Sequence, residues 1–146
     1  MILLDTSGLL SALDSSQLHH TACAAVLTEA AGPLLLSPFV LAELDYLLGR
    51  HVGTPAQTAL LEEVVRGAYR IEPFGAGDIL LAKKVIDRYR DLRIGIADAS
   101  IVVLAERYSV RDVLTLDERH FRTLRIGRRR RFRLLPADRP EKTWRK

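Results

Sequence analysis

Ile2-Leu3-Leu4-Asp5-Thr6-Ser7-Gly8-Leu9-Leu10 opens with three apolar residues, an acid and a hydroxyl-rich turn that leads straight back into leucine. The apolar run reads as a short buried strand. Asp5 to Gly8 then offers a strand end and a helix N-cap ahead of Leu9, Leu10 and Leu13. The same punctuation recurs downstream. A helix over Gln17 to Ala30 is stopped by Gly32-Pro33, and Leu34-Leu35-Leu36 is a second buried strand ending at Ser37-Pro38. Pro38 suits the first position of the next helix, Phe39 to Arg50, because its missing N–H has no helical partner there. Thr54-Pro55 starts a helix through Arg66, and Tyr69 to Glu72 reads as a third strand at a sheet edge. Gly77-Asp78 opens an amphipathic helix to about Arg90. Ala97 to Arg107 is nearly all apolar and therefore a buried helix. Val113 to Leu116 reads as a fourth strand, Glu118 to Phe121 as a turn of helix and Phe132 to Leu135 as a candidate last strand.

Strands alternating with helices predict an α/β sandwich with a mostly parallel sheet, since parallel neighbours need a crossover that a helix supplies. The length of 146 residues and 48% hydrophobic content fit one compact domain. That domain is expected over residues 1–135, with a loosely structured tail over 136–146. The chain carries one cysteine, Cys23, in an Ala-rich helical stretch where it reads as a packing residue; a chain with no cysteine pair suits a reducing compartment. The chain begins on a strand with no basic leader, and its apolar runs are short, which reads as cytoplasmic and neither secreted nor membrane-spanning.

The formal charge of +4 conceals an asymmetry. Arg119 to Arg133 holds eight arginines and no acid, which leaves 14 basic against 18 acidic groups elsewhere. An acidic body with one basic stripe suits a cation at one place and a phosphate backbone at another, although a solvated charged face would look the same. The run Arg128, Arg129, Arg130 and Arg131 is the candidate nucleic-acid-binding segment.

Four acids stand out. Asp5 follows the first strand and Asp117 the fourth, which places both on the rim beyond the carboxyl ends of the strands, where sites gather in such folds. Asp98 lies in the first turn of the buried helix. Glu43 sits between Phe39, Val40, Tyr46 and Leu47, the expected centre of an apolar helix face. Taken singly, Asp5, Asp98 and Asp117 each have an ordinary explanation at a helix N-terminus. Glu43 has none, because no cation lies one turn away on its helix. Four carboxylates gathered in one place repel one another, and a divalent cation offsets that repulsion.

The opening Leu3-Leu4-Asp5-Thr6-Ser7-Gly8-Leu9-Leu10, then Ser37-Pro38-Phe39-Val40-Leu41-Ala42-Glu43, Asp91 to Ser100, and Leu114-Thr115-Leu116-Asp117-Glu118-Arg119-His120-Phe121 together resemble a PIN-domain protein of the VapC toxin type. The resemblance covers residues 2 to about 135. It implies a three-layer α/β/α sandwich, Mg²⁺- or Mn²⁺-dependent cleavage of RNA, a homodimer, and neutralisation by a small VapB-type antitoxin. It puts the catalytic positions on Asp5, Glu43, Asp98 and Asp117, with Asp5, Asp98 and Asp117 as metal ligands. Thr6 and Thr115 are the supporting hydroxyls, and Ser7 is a third candidate. The Arg128 to Arg131 run is denser than that resemblance requires.

Other readings compete with this one. A phospho-signalling receiver needs an acceptor Asp ending the third strand and a lysine on a late strand, and neither is present. A haloacid-type phosphatase needs an acid two residues after Asp5, where Ser7 stands. A module that keeps the site but only sequesters RNA or a protein is the non-enzymatic rival. The four histidines, His19, His20, His51 and His120, show no spacing with cysteine or acid that suggests zinc. Asp91 reads as an exposed turn residue.

Overall fold

The structure is a computed structural model that describes residues 1–140. Its elements run β1 (Ile2–Leu4), α1 (Thr6–Leu13), α2 (His20–Glu29), β2 (Leu34–Leu36), α3 (Pro38–His51), α4 (Thr54–Arg66), β3 (Arg70–Ile71), α5 (Ala76–Arg88), a 3₁₀ turn (Arg90–Leu92), α6 (Ile96–Tyr108), β4 (Asp112–Leu114), α7 (Glu118–Phe121), β5 (Arg125–Ile126), β6 (Arg130–Arg131) and β7 (Arg133–Leu135). The strands β3-β2-β1-β4-β7 form one five-stranded sheet in that order, parallel throughout.

Leu3, Leu4, Leu35, Leu36, Val113, Leu114, Leu134 and Leu135 are all buried, as expected of strands covered on both faces. The chain moves outward from β1 through β2 to β3, then crosses back to place β4 and β7 on the other side of β1. Right-handed crossovers therefore put the helices of the first half and those of the second on opposite faces, giving the expected α/β/α sandwich. The loops after β1 and β4 leave in opposite directions, which opens a crevice at the point where the order reverses.

The structure shortens several expected elements for local reasons. Residues 17–19 stay outside α2 because the Asp14 carboxylate holds a turn, accepting from the Ser16 N–H at 3.0 Å, from Ser16 Oγ at 2.7 Å and from Gln17 Nε2 at 3.1 Å. The strand β4 ends at Leu114, and Thr115 turns its hydroxyl to Asp5 instead of continuing the run. The Arg-rich stretch contains an element that its residue pattern does not announce. β5 and β6 pair antiparallel, Ile126 opposite Arg130, around Gly127 at φ +61°, a left-handed position suited to glycine in a short hairpin loop. Of the stretch expected to be loose, Asp138 accepts from the Leu134 N–H at 2.8 Å and from both Arg122 Nη atoms, and Arg139 reaches Glu29 at 3.1 Å. Residues 141–146 of that stretch lie outside the described residues.

Gly8 fixes how closely α1 approaches the sheet. A Cβ there would stand 2.5 Å from the Leu114 carbonyl oxygen and 2.6 Å from its carbon, both backbone atoms that cannot swing aside. Gly8→Ala is therefore expected to destabilise the fold by about 1–3 kcal/mol, the ordinary cost of overpacking. Urea unfolding of the variant should show a lower midpoint, and an unchanged midpoint would contradict this packing.

Candidate active site

The first strand delivers Asp5 into the crevice, where the residue is 5% exposed. It does not cap α1, although its backbone stands at the N-cap position. Instead Oδ2 accepts from Thr115 Oγ1 at 2.6 Å and from Ser7 Oγ at 2.8 Å. These hydroxyls also receive bonds from the segment after β4: Ser7 Oγ from the Leu116 N–H at 3.0 Å, and Thr115 Oγ1 from the Asp117 N–H at 2.9 Å. Thr115 thus sits as expected against Asp5. Thr6 does not; its hydroxyl is buried without a hydrogen-bond partner, and Ser7 occupies the orienting position expected of it. The reason is helical geometry, since Ser7 rather than Thr6 lies on the side of α1 that faces β4.

Asp98 stands in the first turn of α6, and that turn is pinned from below. Ser100 Oγ donates to the Ala97 carbonyl at 2.6 Å, so the 2.6 Å contact between Ser37 and Ser100 has Ser37 as donor. The end of β2 is thereby tied to the start of α6. Asp117 does cap α7, accepting from the His120 N–H at 3.0 Å, and its other oxygen lies 2.8 Å from His120 Nδ1. The same ring nitrogen is 3.3 Å from Asp98 Oδ2.

Glu43 is a correction. The buried stripe of α3 is Val40, Leu44 and Leu48, while Glu43 is exposed and Tyr46 is 61% exposed. The apolar residues of this helix spread too far round it for periodicity alone to choose the inner face, and burial does not force a partner on Glu43. It nonetheless lines the same cleft of about 650 Å³ as Asp5, Asp98, Asp117 and His120. The fold therefore gathers all four acids named from the sequence. Asp91 is exposed in the 3₁₀ turn and does not line the cleft. His120 joins the cluster without having been expected there. Its signal was the three-residue spacing from Asp117 on a short helix, which brings both side chains to one face.

Burial dominates the electrostatics, and neighbouring carboxylates add to it. Burial pushes the Asp98 carboxyl up to about 6, Asp5 adds to the push, His120 opposes it, and Asp117 and Glu43 raise it further. Burial also raises the Asp5 carboxyl, against the pull of hydrogen bonds from Thr115, Ser7 and the Thr6 N–H, and Asp117 raises it again. Among the described residues, no lysine or arginine lines the cleft. Among the described residues, Asp98, Asp117 and His120 bring donor atoms within 4.8 Å of one another, a set that suits a divalent cation, while Asp5 and the unpartnered Thr6 hydroxyl line the same cleft outside that group.

The arginine run lies elsewhere. Arg128 to Arg131 are exposed on the β5–β6 hairpin, none of them lines the acidic cleft, and Arg88 braces the hairpin through the Gly127 and Arg128 carbonyls at 3.0 and 3.3 Å.

Residues 2–126 match the PIN domain family. This chain belongs to that family, among its VapC-type ribonuclease toxins. It is 44% identical over 135 residues to Ribonuclease VapC26 of Mycobacterium tuberculosis (strain ATCC 25618 / H37Rv), covering 92% of this chain and the whole of that one. Two crystal structures share the PIN fold at lower identity. VapC20 of Mycobacterium tuberculosis, a Sarcin-Ricin loop cleaving toxin, superposes with a TM-score of 0.75 at 20% identity, over 80% of this chain and 90% of its own. FitAcB from Neisseria gonorrhoeae gives 0.56 at 22% identity, over 75% and 83%.

The acid cluster of this PIN domain carries a pH signature. The folded protein holds the Asp98 proton up to about 6, whereas the unfolded chain releases it near 3.8, so between those values the folded state is richer in protons. Stability from this group is therefore full below about pH 4 and fades as pH rises to about 6. Without divalent cation, chemical denaturation of Asp98→Asn compared with the parent should show the parent losing stability relative to the variant across that interval. A constant difference between the two would contradict the assigned cause.

Proposed function

We propose that this protein is a Mg²⁺- or Mn²⁺-dependent endoribonuclease toxin of the cytoplasm that cleaves structured cellular RNA, tRNA or rRNA, to stop translation. The observation that carries the proposal is the convergence of Asp5, Glu43, Asp98 and Asp117, from four separate elements, on one cleft at the point where strand order reverses. Acids that raise one another's pKa in a cleft without a lysine or arginine store repulsion that a cation relieves.

When bound, a divalent cation supplies charge compensation for the phosphate and makes water a stronger acid. The residues of this chain do the rest. Asp98 and Asp117, with Asp5 from the same cleft, would hold the ion. Thr115 and Ser7 fix the Asp5 carboxylate so that it presents one orientation. Glu43, exposed on the wall formed by α3, is placed to accept the proton of the attacking water or to hold that water in line. Phosphates away from the cut are met by the arginine hairpin.

Partners follow from the same chemistry. A small VapB-type antitoxin would cover the outer faces of α3 and α4, where Tyr46, Val52, Leu61 and Val65 are exposed, and would reach an Arg or Lys toward Asp5 and Asp98 in place of the cation. The toxin would pair with a second copy of itself. Among the described residues, no helix is long and apolar enough to cross a membrane.

Asp5→Asn, Glu43→Gln, Asp98→Asn and Asp117→Asn are each expected to remove most cleavage of labelled RNA while leaving a folded protein. EDTA should abolish the parent's activity, and Ca²⁺, which coordinates more loosely, should suppress it. New 5′ ends mapped in cells expressing the protein would name the RNA. Binding without new ends would favour sequestration, and cleavage that survives thorough chelation would defeat the metal reading.

Replacing Arg128 to Arg131 with Ala should weaken RNA binding and flatten its salt dependence by about 0.7 in the log–log slope for each phosphate no longer neutralised. Metal binding at the acid cluster should be unchanged. Unaltered RNA affinity with an altered oligomeric mass would assign the hairpin to a protein interface instead.

A further inference from the structure

We infer that His120 is a direct nitrogen ligand to the cation held by Asp98 and Asp117, and that this ligand makes the site prefer Mn²⁺ to Mg²⁺. This rests on the metal-dependent function proposed above and specifies which atoms carry it out.

Spacing is the first observation. Ligands at adjacent corners of an octahedron around an ion at about 2.1 Å stand roughly 3 Å from one another. His120 Nδ1 is 2.8 Å from Asp117 Oδ2 and 3.3 Å from Asp98 Oδ2, and the donor atoms of all three residues lie within 4.8 Å of one another. Both separations from the ring nitrogen are thus those that a shared ion requires, and the group as a whole stays within 4.8 Å.

The state of that nitrogen is the second observation. Nδ1 is shut off from solvent, yet it has no hydrogen bond of acceptable geometry despite its closeness to two carboxylates. A buried ring nitrogen normally finds a donor or an acceptor. Thr6, 3% exposed, adds another buried polar atom without a partner on the wall of the same cleft. Two orphaned atoms beside clustered carboxylates are what a site built around an ion would leave.

The ring is also held in place. The His120 N–H bonds back to Asp117 Oδ1, the Leu124 N–H bonds to the His120 carbonyl at 2.9 Å, and the turn after α7 is clamped by Arg122 on Glu118 and Asp138. A ligand on so short a helix needs such bracing to keep its direction.

Ligand chemistry then sets the preference. Mg²⁺ favours an all-oxygen shell and gives up water reluctantly, whereas imidazole suits the transition metals better. A nitrogen beside two carboxylates therefore favours Mn²⁺ without excluding Mg²⁺.

The test uses the full-length protein, stripped with chelator and loaded with Mn²⁺, and reads electron spin-echo modulation rather than activity. The expected result is a ¹⁴N coupling that changes to ¹⁵N when the protein is made with ¹⁵N-histidine. The coupling should vanish in His120→Gln and persist in His19→Gln, since His19 does not line the acidic cleft. His120→Gln should also lower Mn²⁺ affinity about tenfold while Mg²⁺ affinity stays within about twofold of the parent. The labelled parent answers the question even where a variant fails to fold. Bound Mn²⁺ without histidine coupling overturns this inference and leaves the metal reading standing. Failure of the parent to bind Mn²⁺ at all overturns the metal reading and the inference with it.

Discussion

Taking the Asp5 carboxylate out of water costs several kcal/mol unless donors replace the displaced solvent, and the way this chain meets that cost shapes the whole cleft. Thr115 and Ser7 supply the donors, at 2.6 and 2.8 Å. Hydrogen bonds to a charged acceptor are worth about 1.5–3 kcal/mol each, enough to offset much of the cost though not all of it. The remainder shows as a raised Asp5 pKa. Because Ser7 and Thr115 are also bonded to the Leu116 and Asp117 N–H groups, the knot ties the end of β1 to the turn after β4. Gly8 makes this possible by letting α1 lie directly on the Leu114 backbone.

The other acids are held by less and exposed more. Asp98 depends on α6 being fixed to the end of β2 through Ser37 and Ser100, an entirely buried pair 63 residues apart. Asp117 depends on α7, whose N-cap it forms. Glu43 faces solvent from α3. The carboxylates therefore run from a buried, fixed Asp5 to a solvent-exposed Glu43. The capping and functional explanations of Asp117 are compatible, because its two oxygens are used separately: one accepts from the His120 N–H, and the other faces the His120 ring.

Charge is segregated as cleanly as it is in the sequence. The acids meet in a cleft without a lysine or arginine in its lining, while Arg128 to Arg131 project from a hairpin braced against α5 by Arg88. Neighbouring arginines repel one another. Arg130 and Arg131 lie in β6, where successive side chains point to opposite sides, while Arg128 and Arg129 stand exposed in the loop that joins the strands. The acidic cleft and the exposed arginine hairpin thus give one molecule two surfaces of opposite charge.

The alternation of strands and helices, the parallel sheet, and the rim positions of Asp5 and Asp117 were all legible in the chain alone. They follow from local patterns: continuous apolar runs, an N-terminal proline on α3, and polar turns at strand ends. Four spaced motifs carried the family as well, and the match to residues 2–126 bears that out. Which hydroxyl meets Asp5, which face of α3 lies inside, and that His120 joins the cluster emerged only in the folded molecule. Ser7 outranks Thr6 because of how α1 rotates onto β4. Glu43 is exposed because Val40, Leu44 and Leu48, not Phe39 and Leu47, find the core. The β5–β6 hairpin stayed hidden because its strands are two residues long and mostly arginine, with no alternation to read. The choices at α1 and α3 turn on a helix rotation of a single residue, about 100°, which only packing against distant elements selects.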